Sequence, residues 1–276
     1  MPASHNQHDA KTYSATLIGC GKMGSAMMAS WLENGLVSRV NVIDPSPLPV
    51  HLSDDPRVYY YPSYQGGIPT SDILILAVKP QILKEASQKI ANDINDKTVL
   101  LSIAAGQRLS TLESIFGSDQ PIIRTMPNTP AAIGKGVSVS VANTHVSLDQ
   151  KEIADTLLRA SGEHKWIKDE GLMDAVTALS GSGPAYLFHF IETLADAGEK
   201  LGLDADLSMS LARQTVIGSA ALAEYDGGIS AETLRKNVTS PGGTTQAALE
   251  TLMDGRFQTI LDEALNAAKK RSQELS

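Results

Sequence analysis

The fold is decided near the N-terminus by the run Ile18-Gly19-Cys20-Gly21-Lys22-Met23-Gly24, which contains the glycine spacing G-x-G-x-x-G. A short apolar stretch, residues 14–19, leads into this run, and residues 25–34 follow it with the apolar spacing of a helix. Gly19 permits a tight turn out of a strand, Gly21 leaves room for a pyrophosphate beside the backbone, and Gly24 lets a helix pack closely on the sheet. This context predicts a dinucleotide-binding βαβ unit, and a purely structural glycine turn is the lesser alternative.

Asp44 follows the second predicted strand, residues 39–43, at a position that bears on the kind of dinucleotide. A carboxylate there would accept hydrogen bonds from both hydroxyls of an adenosine ribose and would repel the 2′-phosphate of NADP. The alternative is a plain turn, Asp44-Pro45-Ser46-Pro47, in which Asp44 accepts backbone hydrogen bonds, and both functions are compatible. We therefore expect NADH to be at least usable.

The pattern of predicted secondary structure changes near residue 169, and this predicts two domains. Before that point, apolar runs alternate with helical stretches, which predicts right-handed crossovers and a mostly parallel sheet. After it, the pattern is helical, with Ser230 as an expected N-cap. We predict an α/β fold with a flexible leader over residues 1–12, an N-terminal Rossmann-type doubly wound sheet over residues 13–168, and an all-α C-terminal domain over residues 169–276. The further strands are expected at residues 72–78, 98–104, 121–124 and 136–142, and the helices at residues 185–200, 205–225, 231–238, 246–254 and 256–274.

Composition excludes several classes of function. The formal net charge of −8 disfavours a nucleic-acid partner, because neutralising phosphates requires clustered Lys and Arg. One cysteine, Cys20, cannot form an internal disulfide, and the six histidines have no metal-ligand spacing, so no metal is expected. The sequence has no apolar run of about 18 residues, which argues against a membrane span. We expect a cytoplasmic enzyme.

Three segments beyond the first turn have the composition of site loops. They are Ala77-Val78-Lys79-Pro80, Met126-Pro127-Asn128-Thr129-Pro130 and residues 180–186, SGSGPAY. Taken singly, each is better explained as a tight loop. The first follows a predicted strand, where open α/β sheets bind their ligands.

A fourth segment is more informative: Asn237-Val238-Thr239-Ser240-Pro241-Gly242-Gly243-Thr244-Thr245, which leads into a predicted helix. Glycines and threonines at a helix N-terminus expose N–H groups and hydroxyls that suit a carboxylate. The alternative is a helix cap with Thr245 as the N-cap.

Together these segments resemble the pyrroline-5-carboxylate reductase family, whose motifs occur in the same order from the glycine-rich turn to residues 240–245. The resemblance implies the last step of proline biosynthesis, in which NADPH or NADH gives hydride to the imine carbon of 1-pyrroline-5-carboxylate. It implies cofactor contacts from the glycine-rich turn and from loops after two further strands, with Asn237 ordering the site. Asp44 departs from the family, whose members that use NADPH often have Ser, Thr or Asn at this position. With Asp44 added from its place after the second strand, the predicted cofactor residues are Ile18, Gly19, Cys20, Gly21, Lys22, Met23, Gly24, Asp44, Ala77, Val78, Lys79, Pro80, Ile103, Ala104, Ala105 and Asn237.

The same resemblance implies that the substrate binds at the loop of residues 237–245, which precedes the helix predicted at residues 246–254. It implies that Ser240, Gly243, Thr244 and Thr245 bind the substrate and that Thr245 is the catalytic residue. It also implies a homodimer with intertwined helical domains, or an assembly of such dimers. The small residues at 217–222 fit such an interface, although ordinary packing within one chain explains them equally well.

Two other functions remain open at this stage. A β-hydroxyacid dehydrogenase shares the glycine-rich turn, but its chemistry needs a lysine near the reacting hydroxyl, and Lys200 and Lys236 are the only candidates. A non-catalytic dinucleotide-sensing protein is the second alternative, and the intact loop at residues 240–245 argues against it.

Overall fold

A computed structural model describes residues 11–67, 70–95 and 97–275 of the chain. The predicted leader lies outside the described residues except for its last two positions. By contacts between residues the chain divides into two compact units, residues 1–181 together with 268–276, and residues 182–267. The predicted domain boundary at residue 169 stays a prediction.

The first unit contains one eight-stranded sheet with the strand order β3-β2-β1-β4-β5-β6-β7-β8. All neighbouring strands pair in parallel except β6 and β7, so the expectation of a mostly parallel, doubly wound sheet is confirmed. The strands are β1 (Tyr13–Ile18), β2 (Val37–Ile43), β3 (Val58–Tyr61), β4 (Ile73–Leu76), β5 (Val99–Ser102), β6 (Ile122–Met126), β7 (Gly136–Ala142) and β8 (Gly162–Trp166).

Helices cover both faces of the sheet and make up the second unit. Short 3₁₀ segments occur at Ala91–Asp93, Thr129–Ile133 and Glu170–Leu172, and a single π-helical turn occurs at Thr177–Gly181. The α-helices of the described residues are α1 (Lys22–Glu33), α2 (Val50–Ser53), α3 (Pro80–Ile90), α4 (Leu109–Phe116), α5 (Leu148–Arg159), α6 (Met173–Val176), α7 (Gly183–Lys200), α8 (Ala205–Tyr225), α9 (Ala231–Asn237), α10 (Thr244–Leu252) and α11 (Arg256–Glu274).

The two edge strands, β3 and β8, are absent from the sequence prediction. An edge strand has one neighbour and leaves much of its surface in water, so it lacks the continuous apolar run of a central strand. In β8, which reads GEHKW, only His164 is buried, and in β3 Tyr59 and Tyr60 are exposed. The central strands were found because both of their faces are covered.

The core of the first unit is split by the sheet into two layers. Alternate side chains of β4 enter opposite layers: Ile73 and Ile75 pack with α1 and α5, whereas Leu74 and Leu76 pack with α3 and α4. On the first face the fully buried Trp31 of α1 donates from Nε1 to the carbonyl of Leu157 in α5 at 2.8 Å. This side chain locks two helices together over the middle of the sheet.

The second unit consists of α7 to α10 and most of α11. Ser230 accepts a hydrogen bond from the Thr233 N–H at 3.2 Å, so the expected N-cap of α9 is confirmed. Few side chains of this unit are buried, and large apolar residues such as Phe188, Leu211 and Ile260 are at least half exposed. Residues 217–222 are also largely exposed, which argues against the alternative that their small side chains serve packing within the chain. Among the described residues, no helix is long and apolar enough to cross a membrane.

A buried polar chain joins the last three strands to α5. His164 of β8 contacts Asp155 of α5 through Nδ1 at 2.7 Å and Ser140 of β7 through Nε2 at 2.8 Å. The Ser140 hydroxyl lies 2.7 Å from that of Thr125 on β6. The residues are those of a hydrolytic triad, but Ser140 and His164 are at most 1% exposed, so no substrate reaches them. This series of hydrogen-bonded side chains therefore has a structural role.

We expect His164 to make the stability of the fold depend on pH. Burial lowers the pKa of His164, and the hydrogen bond and charge of Asp155 oppose this effect only in part. Because the folded state favours the neutral ring, its contribution is complete above the unfolded pKa of about 6.5 and declines as pH falls below it. The measurement is the melting temperature from about pH 7.5 to about pH 5.5, which brackets that pKa.

Over this range the melting temperature of the wild type should fall further than that of His164→Gln. The difference should be about 2–4 °C for each kcal/mol of unfolding free energy that protonation of His164 removes. His51→Gln, at an exposed position, is the matched control and should follow the wild type. Equal pH dependence in the wild type and His164→Gln would contradict this assignment.

Candidate functional site

The predicted site loops of the first unit lie at the carboxyl ends of neighbouring strands. The strand order reverses between β1 and β4, and at such a switch point the connections diverge to opposite faces and leave a crevice. The glycine-rich turn follows β1, residues 77–80 follow β4, and residues 103–106 follow β5. The topology therefore brings three of the predicted segments to one edge.

The three glycines of the turn have different surroundings. Gly19 has a φ of +89°, and a Cβ there would lie 2.9 Å from the carbonyl oxygen of Ala77. At Gly24 a Cβ would lie 2.8 Å from the Gly19 carbonyl oxygen. At Gly21 a Cβ would meet nothing within 4 Å among the described residues. The outer glycines are thus required by packing, whereas Gly21 borders open space.

That open space lies at the N-terminus of α1. Gly21 is the N-cap of this helix and provides no side-chain cap, and its first turn holds no acidic residue. The first N–H groups of a helix have no partner within the helix and carry partial positive charge. The turn therefore fits an anionic group such as a pyrophosphate.

A cleft of about 630 Å³ extends from this turn along the sheet edge. The predicted cofactor residues that line it are Ile18, Gly19, Gly21, Asp44, Ala77, Val78 and Lys79. Lys79 is the N-cap of α3, and Pro80 is its first residue. Cys20, Lys22, Met23 and Gly24 belong to the same turn and helix, although they do not line the cleft.

Asp44 is engaged with the backbone on both carboxylate oxygens. Oδ2 accepts a hydrogen bond from the Cys20 N–H at 2.6 Å, and Oδ1 accepts one from the Ser46 N–H at 2.7 Å. The expectation that Asp44 accepts backbone hydrogen bonds in a turn is confirmed. The same carboxylate lines the cleft, so its negative charge faces any ligand that occupies it.

The Cys20 thiol is not an activated nucleophile. Burial, with the Asp44 charge as a second cause, raises its pKa from 9.0 to about 11. The thiolate is the reactive form of cysteine, and at neutral pH this thiol stays protonated. The interpretation of Cys20 as a packing residue agrees with this environment.

Some lining residues were missed by the sequence analysis, among them Ser63, Tyr64 and Lys89. The Tyr64 hydroxyl is buried and has no hydrogen-bond partner among the described residues. Tyr64 lies just after β3, the edge strand that was itself missed, so no strand end marked its position. An unpaired hydroxyl beside an open turn with free N–H groups fits a polyhydroxylated, phosphorylated ligand, and the residues thus fit a dinucleotide.

The second and third predicted loops meet within the first unit. Asn128 donates from Nδ2 to the Ser180 carbonyl at 3.2 Å and accepts the Val137 N–H at 2.9 Å. Ser180 lies in the π-helical turn, a rare element that often occurs at functional sites. At the adjacent Gly181 a Cβ would lie 2.5 Å from Cε of Met126, so the flexible end of that side chain would have to move.

The fourth loop belongs to the second unit and precedes α10. Gly243 is the N-cap of this helix and Thr244 its first residue, so the alternative that Thr245 is the N-cap is wrong. The helix starts two residues earlier than predicted because Gly242, at a φ of +70°, completes the turn and lets Gly243 take the cap position. Neither Thr244 nor Thr245 uses its hydroxyl for a hydrogen bond within the described residues.

The other predicted site residues of the second unit lie on or next to the loop before α10. Ser240 and Thr244 are exposed, and Thr245 is half-buried. Asn237 is the last residue of α9, three positions before Ser240. Over the described residues, no group of three or more His, Cys, Asp or Glu side chains is placed to hold a metal ion.

Two family profiles match the chain. Residues 170–275 match the profile described as pyrroline-5-carboxylate reductase dimerisation. Residues 14–106 match the profile described as NADP oxidoreductase coenzyme F420-dependent. The second match covers the glycine-rich turn and the loops after β4 and β5.

Relatives and solved structures match over nearly the whole chain. The pyrroline-5-carboxylate reductase of Pseudomonas aeruginosa is 37% identical over 94% of this chain and 95% of its own length. The structure of such a reductase from Coxiella burnetii superposes with a TM-score of 0.90 at 34% identity, covering 96% of this chain and 99% of that one. The Plasmodium falciparum pyrroline carboxylate reductase, solved with NADP bound, superposes with a TM-score of 0.80 at 30% identity, covering 96% and 99%.

The contrast between Gly21 and Gly24 gives a prediction about the turn. Gly21→Ala should leave the melting temperature close to that of the wild type, because the new methyl group meets no protein atom. It should raise the dissociation constant of the reduced dinucleotide on the order of tenfold, about the loss of one charge-assisted hydrogen bond. Thermal unfolding and a fluorescence titration with NADPH measure the two effects.

Gly24→Ala is the matched control. Its methyl group would press on the Gly19 carbonyl oxygen, and overpacking of this kind costs about 1–3 kcal/mol of stability. Unchanged dinucleotide affinity in a well-folded Gly21→Ala variant would show that the pyrophosphate does not bind at this turn.

Proposed function

The chain belongs to the pyrroline-5-carboxylate reductase family, and from this membership we propose how its residues carry out the family's reaction. The chain is an NAD(P)H-dependent imine reductase that reduces 1-pyrroline-5-carboxylate to L-proline, the last step of proline biosynthesis. The observation that carries the assignment is the identity of more than a third over nearly the full length, together with the matched dimerisation region. The β-hydroxyacid dehydrogenase and the non-catalytic alternative are set aside on the same ground.

The cofactor residues of the first unit are proposed to act together at one edge of the sheet. Residues 18–24 hold the pyrophosphate at the N-terminus of α1, and Asp44 faces the adenosine ribose. Residues 77–80 border the cleft after β4, and Ile103, Ala104 and Ala105 follow β5. Asn237 is proposed to order the site. When bound, the reduced nicotinamide supplies the hydride.

The substrate residues are proposed on the loop before α10. Gly243 caps the helix without a side chain, and this leaves the first N–H groups of α10 open to the substrate carboxylate. Ser240, Thr244 and Thr245 surround that position with hydroxyls. The main catalytic contribution of the loop is orientation, since a carboxylate fixed at one end directs the imine at the other.

Thr245 is proposed as the residue that contacts the imine nitrogen. Its hydroxyl has no partner in the described residues and is not consumed by capping, so it is available to the substrate. A hydroxyl is too weak an acid to release a proton outright at neutral pH. Thr245 therefore hydrogen-bonds the ring nitrogen, which enters protonated or takes its proton from water.

Assembly follows from the matched dimerisation region. The chain forms a homo-oligomer, and the apolar side chains exposed on α7, α8 and α11 need a covering surface of the kind a second copy provides. We propose that the helical domains of two chains intertwine and that residue 169 marks the domain boundary. We also propose that the enzyme acts in the cytoplasm, as its single, protonated thiol suits a reducing compartment.

The hydroxyl of Thr245 provides a direct test of the mechanism. Thr245→Ala should lower kcat/KM for 1-pyrroline-5-carboxylate by roughly 10²-fold, the lower end for one positioned proton-managing group. Thr245→Ser should retain most of the activity because it keeps the hydroxyl. Thr251→Ala, near the other end of α10, is the control and should behave as the wild type. Near-normal activity of Thr245→Ala would exclude a catalytic role.

The carboxylate of Asp44 provides a test of cofactor use. The wild type should have a kcat/KM for NADH of the same order as that for NADPH. Asp44→Ser should shift the ratio of the two kcat/KM values toward NADPH by roughly tenfold. This is the change expected from removing about 1.4 kcal/mol of charge repulsion. Asp54→Ser, on an exposed loop, should leave the ratio unchanged. A strong NADPH preference in the wild type would contradict the assignment.

A further inference from the structure

We propose that Glu170 is a positioning residue for the cofactor, because its carboxylate closes the loop of residues 103–108. The inference rests on the proposed function, in which Ile103, Ala104 and Ala105 contact the cofactor. Glu170 itself lies in the 3₁₀ segment Glu170–Leu172 and lines no part of the cleft. It acts through Leu109 at the loop exit and through Arg124 on the strand that pairs with β5 at the loop entry.

One oxygen of Glu170 holds both ends. Oε1 accepts a hydrogen bond from the Leu109 N–H at 2.8 Å and another from Nη1 of Arg124, also at 2.8 Å. Leu109 is the first residue of α4, just after the loop. Arg124 of β6 is the register partner of Ser102, the last residue of β5 and the residue just before the loop. The carboxylate therefore connects the exit of the loop to the strand that borders its entry.

Each of these contacts supplies a partner that we find nowhere else among the described residues. The N-cap of α4 is Arg108, which provides no side-chain cap, so Glu170 caps the helix from 61 positions away. The Arg124 side chain is 5% exposed, and a buried guanidinium without a partner is strongly destabilising. Helix N-termini also favour a negative charge. The geometry of the loop exit thus depends on this one carboxylate.

A second contact holds the middle of the same loop. Gly106 is buried at a φ of +73°, and a Cβ there would lie 2.7 Å from the Leu275 carbonyl oxygen. Leu275 lies just after α11, and the end of this helix is anchored by Ser272. The Ser272 hydroxyl donates a hydrogen bond to Asp174 at 2.6 Å in a buried position. Ala105 and Arg108 are the exposed residues of the loop. The loop is therefore held at its exit and its centre, and it presents one side to solvent.

The test is steady-state kinetics of Glu170→Gln and Glu170→Ala with the cofactor and the substrate varied separately. Glu170→Gln keeps an acceptor for Leu109 but loses the ion pair, and Glu170→Ala loses both. We expect the KM for the reduced cofactor to rise several-fold in the first and on the order of tenfold in the second, as charge-assisted hydrogen bonds are lost. The KM for 1-pyrroline-5-carboxylate should stay within twofold of the wild-type value, by the same conversion.

Two further variants separate positioning from stability. Glu163→Gln breaks an exposed ion pair with Lys165 and should change neither constant. The double variant Arg124→Met/Glu170→Leu removes both charges of the pair together, so that no unpaired guanidinium is left buried. It should still show the raised cofactor KM, since Leu109 has lost its acceptor.

The possible outcomes separate the two levels of inference. A wild type that does not reduce 1-pyrroline-5-carboxylate would overturn the proposed function. An active wild type together with variants of wild-type cofactor KM would overturn the role of Glu170 alone. A lower melting temperature with reduced kcat and unchanged cofactor KM would also overturn it, because it would show a purely structural role.

Discussion

The close approach of α1 to the end of β4 is the constraint on which the rest of the structure depends. The backbone at Gly19 turns against the Ala77 carbonyl, and Gly24 lies against the Gly19 carbonyl, with no room for a Cβ at either position. This contact fixes α1 over the switch point between β1 and β4, so its N-terminus faces the edge where the other loops end. At Gly21 a Cβ would meet no described atom within 4 Å, so this glycine borders open space. Gly19 and Gly24 thus serve packing, whereas Gly21 leaves room for a ligand.

Most of the first unit follows from the sequence because its central strands are covered on both faces. β4 and β5 are continuous apolar runs, and the turn after β1 has a spacing with a physical reason for each glycine. The edge strands were missed because water replaces one neighbour and the apolar pattern is lost. Tyr64 was missed with β3, since its position is defined by the strand before it. Glu170 could not be found from local sequence, because its partners lie 61 and 46 positions away.

The loop before α10 shows a second limit of reasoning from local sequence. The composition of residues 237–245 correctly indicated a helix start rich in N–H groups. It did not decide which residue occupies the cap, and the positive φ of Gly242 makes Gly243 the N-cap. Because Gly243 takes the cap position, the Thr245 hydroxyl is not used for capping. A site of this kind gains its polar groups by leaving the cap position to a residue that has no side chain.

The protonated state of Cys20 determines how readily this thiol reacts with oxidants. Peroxides and electrophiles attack the thiolate, and a thiol whose pKa is about 11 holds very little of it at neutral pH. The Asp44 carboxylate, the second cause of the raised pKa, adds to this suppression. The thiol in the glycine-rich turn is therefore unreactive, and the turn is poorly suited to act as a redox sensor.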